Sequence, residues 1–424
     1  MMKKSTSRRR FLQGSTAAVL AAPLVARGVH ADGSDLLKVG LIGCGDRGTG
    51  AAAQALHADR NVKLWAMADA FRDKLETGLA TLRRDRTLEG KIDVNAERCF
   101  VGFDAYRQVI GSGVDVVLLC TPPHFRPLHL RAAVQANKHV FAEKPVAVDA
   151  PGVRAVLATC AEARRRNLSV VSGLCLRYSN AYREMIRRLH DSAIGDIKAL
   201  QANDLRGTIR VFPRQQSWSD MEWQMRNWYY FTWLSGDFNV EQHVHNLDIC
   251  AWALREQMPA RCTGMGGRQV RTGPEFGNIY DHFAVVYEYE SGVKIFSNTR
   301  QQVNCRNDIT VYALGSRGNA EISERRQVIT GQSPWSTRGP DNDFYQSEHD
   351  ELFASIRNGR PINNGEYMSR STLMAIMGRM AAYTGRTITW EMALNSREDL
   401  TPLRYEWGRL ETPPAAMPGI TRFQ

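Results

Sequence analysis

The sequence lacks the cysteine spacings that build a disulfide framework or a zinc site. Both kinds of site need regular cysteine pairs, such as C-x-x-C. The eight cysteines of this 424-residue chain form no such pair and are scattered over Cys44, Cys99, Cys120, Cys160, Cys175, Cys250, Cys262 and Cys305. We therefore expect most of these thiols to be small buried apolar groups, and we predict no metal site.

A hydrophobic run long enough to cross a membrane is also missing near the N-terminus. The alanine-rich stretch from Ser15 to Ala26 has about a dozen residues, whereas a membrane-spanning helix needs roughly 20. It follows the segment Ser7-Arg8-Arg9-Arg10-Phe11-Leu12 and precedes Val29-His30-Ala31, which has the pattern of a cleavage site. This order is typical of a twin-arginine export signal, although a basic cytoplasmic tail is an alternative.

The signal hypothesis has three consequences. Residues 1–31 are predicted to be a signal peptide, and the mature protein would begin near Asp32. The twin-arginine translocase would be a partner during export, and the mature protein would be periplasmic or otherwise exported, without a membrane anchor. This route carries folded proteins from the reducing cytoplasm, where disulfides do not persist, which agrees with the unpaired cysteines.

The net charge of the chain gives no sign of a nucleic-acid partner. The formal charge is +11, from 55 basic and 44 acidic residues. The predicted signal peptide has no acidic residue and contains six of the basic ones, Lys3, Lys4, Arg8, Arg9, Arg10 and Arg27. The remaining 49 basic and 44 acidic residues leave a charge of +5, so no nucleic-acid partner is predicted.

The first part of the mature chain alternates apolar strands with helical segments. Alternation of this kind is typical of a doubly wound parallel sheet with right-handed crossovers. The run from Val114 to Cys120 is rich in β-branched and leucine residues, as a strand buried on both faces should be. We predict a Rossmann domain over residues 36–155, with strands and helices at Leu37–Ile42, Gly50–His57, Val62–Ala68, Val114–Cys120, Leu128–Ala136 and His139–Ala142.

The pattern changes beyond residue 155. One further helix and strand, at Gly152–Arg166 and Ser169–Ser172, precede longer alternating segments such as Phe283–Tyr289, which ends at the turn Ser291-Gly292. These segments indicate antiparallel strands joined by hairpins. We predict a second α/β domain over 156–424, with a helical tail from about residue 346 and an extended, proline-rich end.

A glycine-rich turn lies between the first strand and the first helix. It reads Gly43-Cys44-Gly45-Asp46-Arg47-Gly48, and Asp69 ends the second strand 21 residues later. The glycines let the backbone approach a pyrophosphate at the helix N-terminus, and the acid accepts hydrogen bonds from a ribose. We predict a dinucleotide site that prefers NAD, because a carboxylate repels a 2′-phosphate. Arg72 keeps NADP open as an alternative.

Two later motifs carry a family resemblance. Thr121-Pro122-Pro123-His124-Phe125-Arg126-Pro127-Leu128-His129 is followed by Ala136-Asn137-Lys138-His139-Val140-Phe141-Ala142-Glu143-Lys144-Pro145. Together they resemble the signature of the glucose-fructose oxidoreductase / inositol dehydrogenase (Gfo/Idh/MocA) family, with Asn137 replacing the usual glycine.

This resemblance implies an active-site lysine, a cofactor site and a second-domain sheet. Lys144 would lie beside the nicotinamide and the substrate, with Pro145, often cis in the family, setting its turn. Glu143 would contact the cofactor ribose. The second domain would carry a large, mostly antiparallel open-faced sheet through which copies pair as a homo-oligomer. The remaining residues assigned to the cofactor site are Thr121, Pro122, His124 and His129.

A third motif supplies the candidate acid/base. The segment from Gly236 to Asp248 is similar to a family pattern in which His245 is the catalytic histidine. Glu241 stands where many relatives have aspartate, and His243 where they have glycine. Helical spacing would put Glu241, His245 and Asp248 on one face, so that Glu241 orients the imidazole. A polar helix face or a metal site are alternatives, although His243 and His245 point to different faces of a helix.

The resemblance and the motifs together predict an oxidoreductase. We expect hydride transfer between NAD and a carbinol of a sugar or polyol, with Lys144 and His245 handling the hydroxyl proton, and with a cofactor that stays bound. Two alternatives are a glycoside-cleaving enzyme that oxidises its sugar transiently and a catalytically silent sugar-binding protein. Candidate substrate contacts, besides His245, are Arg177, Tyr178, Arg226, Trp228, Asp248, Tyr280, His282 and Arg300.

Overall fold

The computed structural model describes residues 35–424, so the predicted signal peptide lies outside the described residues. The first sheet is parallel and has six strands in the order β3-β2-β1-β4-β5-β6. This order confirms the doubly wound topology. The strands are β1 (Leu37–Ile42), β2 (Val62–Asp69), β3 (Cys99–Val101), β4 (Val116–Leu119), β5 (His139–Ala142) and β6 (Val170–Ser172).

Helices cover both faces of this sheet, which is why its central strands are apolar throughout. All four residues of β4 are buried, as expected for a strand with helices on either side. The helices are α1 (Asp46–Ala58), α2 (Arg72–Arg84), α3 (Ala105–Gly111), α4 (Arg126–Gln135) and α5 (Ala150–Arg165).

The first domain extends further than predicted. Strand β6 pairs in parallel with β5, with Phe141 opposite Val171, and α5 is the crossover between them. The expected boundary at residue 155 is therefore wrong, because the last crossover of the parallel sheet ends at Ser172. Periodicity alone does not show to which sheet a strand will pair.

The second sheet has nine strands in the order β14-β13-β12-β11-β7-β10-β9-β8-β15. Only the contact between β7 and β10 is parallel, so the mostly antiparallel character is confirmed. The strands are β7 (Ile197–Arg206), β8 (Arg261–Gly267), β9 (His282–Glu288), β10 (Lys294–Gln301), β11 (Asp308–Gly315), β12 (Gly318–Ser323), β13 (Arg326–Gly331), β14 (Trp335–Ser336) and β15 (Ile388–Thr389).

Helices α6, α10 and α12 pack on this second sheet. The helices that follow the first domain are α6 (Asn180–His190), α7 (Asp220–Arg226), α8 (Thr232–Ser235), α9 (Phe238–Glu241), α10 (Val244–Ala253), α11 (Phe344–Arg357), α12 (Gly365–Thr384) and α13 (Trp390–Asn395). Helix α12 is almost wholly buried, and it packs against β8, α10 and α5, so it joins the two domains. The predicted helical tail is thus present, and it is divided at residues 358–364.

The other tail helix, α11, packs on the first domain rather than the second. Its Leu352, Phe353 and Ile356 belong to the same hydrophobic cluster as Leu37 and Leu56. All eight cysteines are free thiols and five of them are buried. Within residues 35–424, no helix has the length and apolarity needed to span a membrane.

Candidate active site

The glycine turn between β1 and α1 is shaped for a close approach by a ligand. Gly43 has φ +97°, and a Cβ there would lie 2.6 Å from the carbonyl carbon of Cys120. A Cβ on Gly48 would lie 1.8 Å from the carbonyl oxygen of Gly43, whereas a Cβ on Gly45 would meet nothing within 4 Å. Gly43 and Gly48 are therefore required by the turn. Gly45 leaves open space before α1, where backbone N–H groups can bind a pyrophosphate.

Asp69 is fixed at the adjacent end of β2. Its Oδ2 accepts a hydrogen bond from the N–H of Cys44 at 2.7 Å, and its Oδ1 accepts one from the N–H of Phe71 at 2.9 Å. Burial raises the pKa of this carboxyl group. Each carboxylate oxygen still has a lone pair with which to accept from a ribose hydroxyl. The turn and the acid therefore fit an adenosine diphosphate group.

A deep cleft runs from this turn along the carboxyl ends of the parallel strands. Nine of the predicted cofactor residues line it, namely Gly43, Gly45, Asp46, Arg47, Gly48, Asp69, Thr121, Pro122 and His129. Cys44, His124, Glu143 and Lys144 do not line it. His124 instead bonds through Nε2 to the Tyr405 hydroxyl at 2.7 Å, and burial lowers its pKa to about 4.

Glu143 links the glycine turn to the strand that carries Lys144. Its Oε1 accepts a hydrogen bond from Arg47 Nε at 2.5 Å, and its Oε2 accepts one from the Lys144 backbone N–H at 3.0 Å. Arg47 also donates to Glu348 on α11 at 3.3 Å. Glu143 thus holds the turn and the lysine together. Its contact with the cofactor ribose stays a prediction.

Lys144 follows β5 and is held by one residue of the second domain. Its Nζ donates to the backbone oxygen and to Oε1 of Glu241, both at 2.7 Å. The Lys144 side chain is 14% exposed and that of Glu241 10%. The Lys144–Pro145 bond is cis, as the family resemblance implies. An ammonium group has three N–H donors, so one remains for a substrate oxygen.

His245 lies beside this pair but is not oriented by Glu241. Helix α9 ends at Glu241 and α10 begins at Val244, so the assumed continuous helix face does not exist. The expected orienting role of Glu241 is therefore wrong, because its carboxylate is taken by Lys144. His245 Nδ1 is buried without a hydrogen-bond partner among residues 35–424, which leaves Nε2 to exchange a proton with a substrate.

The surroundings of His245 favour its neutral form. Burial lowers its pKa well below 6.5, and the positive charges of Lys144 and Arg206 lower it further. The imidazole is therefore neutral at neutral pH. The neutral form has a free lone pair that can accept a proton from an alcohol.

His243 serves the packing of the second sheet. Its Nε2 contacts the Ser297 hydroxyl at 2.8 Å, and burial lowers its pKa to about 3. No group of three or more histidine, cysteine or acidic residues with the arrangement of a metal site occurs within 35–424.

Two charged residues near Lys144 and His245 were not singled out by the sequence analysis. Asp204 and Arg206 lie on the buried face of β7, and Arg206 Nε donates to Asp204 Oδ1 at 2.5 Å. The positive charge of Lys144 favours the carboxylate form of Asp204, and that of Arg206 contributes to the lowered pKa of His245. The signal in the sequence was weak, because it consists of two charges at alternate positions after Leu200 and Ala202.

Arg177, Tyr178 and Asp248 form a structural network instead of a substrate site. Arg177 binds Asp248 through Nε and Nη2, both at 2.8 Å, and Glu256 through Nη1 at 2.8 Å. Asp248 also accepts from Ser371, and the Tyr178 hydroxyl donates to Asn364. This corrects the prediction that the three residues contact substrate, because these partners occupy the polar groups.

Arg226 and Trp228 lie at the nucleotide end of the cleft, so their predicted substrate role is also corrected. Both line the cleft, as do Asp69 and Phe71. Arg226 donates to both carboxylate oxygens of Asp73 at 3.1 and 3.2 Å, and its guanidinium lies 4.0 Å from the Phe71 ring centre.

The last three substrate candidates lie away from Lys144. Tyr280 is buried and its hydroxyl donates to the Ala416 carbonyl oxygen at 2.9 Å. His282 and Arg300 are paired across β9 and β10, and alternate burial puts them on the open face of the sheet. The inward neighbours Phe283 and Gln301 face the helices.

Two segments of the second domain cover the adenosine side of the cleft, and we call them the roof. The roof consists of residues 212–228 and 405–412. Phe212, Met225, Arg226 and Trp228 line the cleft directly. Trp407 packs on Phe103, with ring centres 4.6 Å apart. The two segments are tied to each other, because Gln224 Nε2 donates to the Leu410 carbonyl oxygen at 2.8 Å.

Comparison with known families agrees with this geometry. Residues 37–172 match a model described as an oxidoreductase family with an NAD-binding Rossmann fold, and residues 182–321 match a Gfo/Idh/MocA C-terminal domain. Together the two models match about two thirds of the chain.

Known proteins are similar along most of the chain. An inositol 2-dehydrogenase of Rhizobium meliloti is 22% identical over 324 residues, which cover 75% of this chain and 86% of that protein. A scyllo-inositol dehydrogenase from Lactobacillus casei, with bound NAD(H) and scyllo-inositol, superposes with a TM-score of 0.63 at 16% identity, covering 84% of this chain and 100% of that one. An aldose-aldose oxidoreductase from Caulobacter crescentus superposes with a TM-score of 0.64 at 20% identity, with the same coverage.

Proposed function

Because the chain belongs to the Gfo/Idh/MocA family of NAD-binding oxidoreductases, we propose that it oxidises a carbinol of a sugar or polyol at the site formed by Lys144 and His245. The observation that carries the proposal is the Lys144 ammonium, held at 2.7 Å by Glu241 beside a neutral, deeply buried histidine. Relatives that act on inositols and aldoses by name support a polyhydroxylated substrate.

The protein's own groups account for the proton and the charge. NAD, when bound in the cleft, supplies the nicotinamide that takes up or returns a hydride. Lys144 donates its third N–H to the substrate oxygen and stabilises the charge that develops there. His245 accepts the hydroxyl proton at Nε2 as the carbonyl forms, and returns it in the reverse direction.

We further propose that the cofactor stays bound through the catalytic cycle. The roof supports this proposal, because it covers the adenosine side of the cleft and is fastened to the first domain through Arg226 and Asp73. A retained cofactor has to be reoxidised in place. A second sugar or ketose that takes back the hydride does this without free NAD.

The same idea is consistent with export. The twin-arginine pattern of residues 1–31 supports transport of a folded protein, and bound NAD stabilises the folded state before transport. We therefore propose a periplasmic or otherwise exported protein that carries its cofactor with it. Replacement of Arg8 and Arg9 by lysine should retain the precursor in the cytoplasm, and normal export of that variant would contradict this proposal.

The two alternative functions are not favoured. The relatives described above are named dehydrogenases and oxidoreductases. A glycoside-cleaving cycle and a silent sugar-binding role have no separate observation in their support. The retained Lys144 and the neutral His245 fit the dehydrogenase chemistry directly.

The experiment uses protein purified without added nucleotide. The sample is denatured and any released NAD is identified by mass spectrometry, while a second sample is mixed with a panel of sugars and inositols. We expect NAD in the supernatant and an absorbance change at the nicotinamide band with at least one sugar. An empty site together with full dependence on added NAD would contradict retention. Absence of any sugar-dependent change with NAD supplied would contradict the oxidoreductase assignment.

A further inference from the structure

The inner face of β7 changes character along its length. Side chains alternate between faces of a strand, so Leu200, Ala202, Asp204 and Arg206 share one face. The first two are fully buried in the core, and the last two are charged. On β10, Thr299 is in register with Asp204, and its hydroxyl is buried without a partner within residues 35–424. The hydrophobic layer therefore ends at this level and a polar surface begins.

This polar end lies at the active site. Asn246 on α10 donates to the backbone oxygen of Asn203 at 2.6 Å, which places β7 directly against the helix that carries His245. The charge of Arg206 reaches His245, and the charge of Lys144 reaches Asp204. Asp204 and Arg206 therefore lie close to the Lys144 and His245 side chains.

The charged groups near Lys144 and His245 differ in how many of their hydrogen-bonding atoms have a partner. Glu241 is bound to Lys144, and Asp204 is bound to the Nε side of Arg206. Neither Nη atom of Arg206 has a hydrogen-bond partner in the part of the chain that the structure describes, and its side chain is 26% exposed. A guanidinium group presents two parallel N–H donors along that outer edge, which match the two oxygens of a carboxylate.

We propose that Arg206 binds a carboxylate of the substrate, so that the preferred substrates are sugar acids of the uronate or aldonate class. Asp204 is the positioning residue, because it holds the Nε side and leaves the Nη edge free to bind a ligand. The Thr299 hydroxyl provides a neutral contact at the same level. This inference rests on the proposed function, since it concerns the substrate of that site. A neutral polyol would offer only hydroxyl groups to the free edge, and those form weaker hydrogen bonds than a carboxylate does.

The test measures binding rather than turnover. Protein loaded with NADH is titrated calorimetrically with D-glucuronate, D-galacturonate and D-gluconate, and with their neutral counterparts D-glucose, D-galactose and D-glucitol. We expect at least one acid to bind about tenfold or more tightly than its counterpart, as charge-assisted hydrogen bonds allow. Arg206→Gln should remove that preference, and Arg206→Lys should restore only part of it, because lysine keeps the charge but lacks the fork.

The matched control is Arg261→Gln. Arg261 belongs to the same sheet and pairs with one carboxylate, Glu288, at 3.0 Å, but it is 57% exposed and lies on β8 rather than on β7. Its loss should leave the preference for acids unchanged. The proposal is overturned if no acid binds more tightly than its neutral counterpart, or if Arg206→Gln keeps the preference.

The proposed function is judged separately from this inference. Arg206-dependent binding of an acid without any absorbance change on mixing with NAD would contradict the oxidoreductase assignment and support the carboxylate site. Oxidation of neutral sugars without a preference for acids would do the reverse.

Discussion

Lys144 is the residue on which the proposed chemistry depends most. Its ammonium is fixed by two oxygens of Glu241, and in the proposed reaction its remaining donor acts on the reacting oxygen. Lys144→Met keeps much of the stem but removes that donor. We expect kcat to fall by about 10²- to 10³-fold, the usual cost of removing one donor to a developing oxyanion, with little change in the Kd for NAD. Steady-state kinetics and NAD titration measure the two effects.

The control for this prediction is Lys198→Ala, which removes a lysine that is 62% exposed on the second sheet. It should leave both quantities unchanged. If Lys144→Met retained the original kcat, Lys144 would have no part in the reaction.

Asp69 is predicted to determine the cofactor preference through its charge. It accepts N–H groups from Cys44 and Phe71 in the folded protein, so Asp69→Asn keeps one acceptor and loses the negative charge. We expect the discrimination against NADP to fall by about tenfold, because nothing then repels a 2′-phosphate. Titrations with both nucleotides measure the ratio, and Asp104→Asn, at an 86% exposed carboxylate, is the control. A preference for NADP in the original protein would contradict the assignment.

Among the elements, the roof makes a prediction about cofactor release. Arg226→Ala breaks both hydrogen bonds to Asp73 and removes the guanidinium from Phe71. We expect the dissociation rate of NADH to rise by about tenfold, since the pair is partly buried and its loss also opens the cleft. Stopped-flow displacement with excess NAD measures the rate.

Arg214→Ala provides the comparison for the roof. Arg214 pairs with Asp220 within the same segment and is 44% exposed, but no ion pair within residues 35–424 joins it to the first domain. It should leave the rate unchanged. Equal release rates in the Arg226→Ala protein and the original would show that the roof does not retain the cofactor.

The elements also show what local sequence can predict. Strands β1 and β2 and the glycine turn were predicted close to their observed bounds, because the signal is a short apolar run next to a glycine motif. The break between α9 and α10 was missed, since the side-chain spacing continues across it while Lys144, 97 residues away, takes the Glu241 carboxylate. The Arg177–Asp248 pair was missed for the same reason, as its partners are 71 residues apart.

At the scale of the whole molecule, the tail unites the two domains. Helix α11 packs on the nucleotide domain through Leu352 and Phe353, and α12 packs between both domains. Sequence patterns identified these segments as helices but not their places, because an apolar helix face does not specify its partner. The substrate candidates Arg226 and Trp228 were misplaced in the same way, since the fold brings them to Asp69.

The buried histidines predict how stability depends on pH. Burial lowers the pKa of His124 to about 4 and those of His129 and His243 to about 3. Their pKa values in the folded protein lie below the value of about 6.5 in the unfolded chain. The stability that the neutral histidines contribute is therefore fully present above about pH 6.5 and is lost as the pH falls towards 4. Each of these histidines lowers the free energy of unfolding by about 1.4 kcal/mol for every unit that the pH falls in that window. Asp237 opposes the trend, because burial raises its pKa to about 6.

Thermal unfolding at pH 7.0, 6.0 and 5.0 measures this dependence. We expect Tm to fall below pH 6.5, because the five histidines whose pKa burial lowers, which include His245 and His349, outnumber Asp237 and Glu348, the two carboxyl groups whose pKa burial raises most. His349→Leu should reduce this dependence of Tm on pH, because burial also lowers the pKa of this imidazole and neither of its nitrogens has a hydrogen-bond partner among the described residues. A Tm that stays constant or rises from pH 7.0 to 5.0 would contradict the account.

The most direct test of the central claim follows the hydride itself. The protein is incubated with NAD and, in separate samples, with D-glucose, D-glucuronate or myo-inositol deuterated at carbon. The nucleotide is then released and its mass is measured by mass spectrometry. Hydride transfer at the Lys144 and His245 site predicts that at least one sugar delivers a single deuterium to the nicotinamide. The label should be lost in the Lys144→Met protein. Nucleotide that stays unlabelled in every sample would contradict the account.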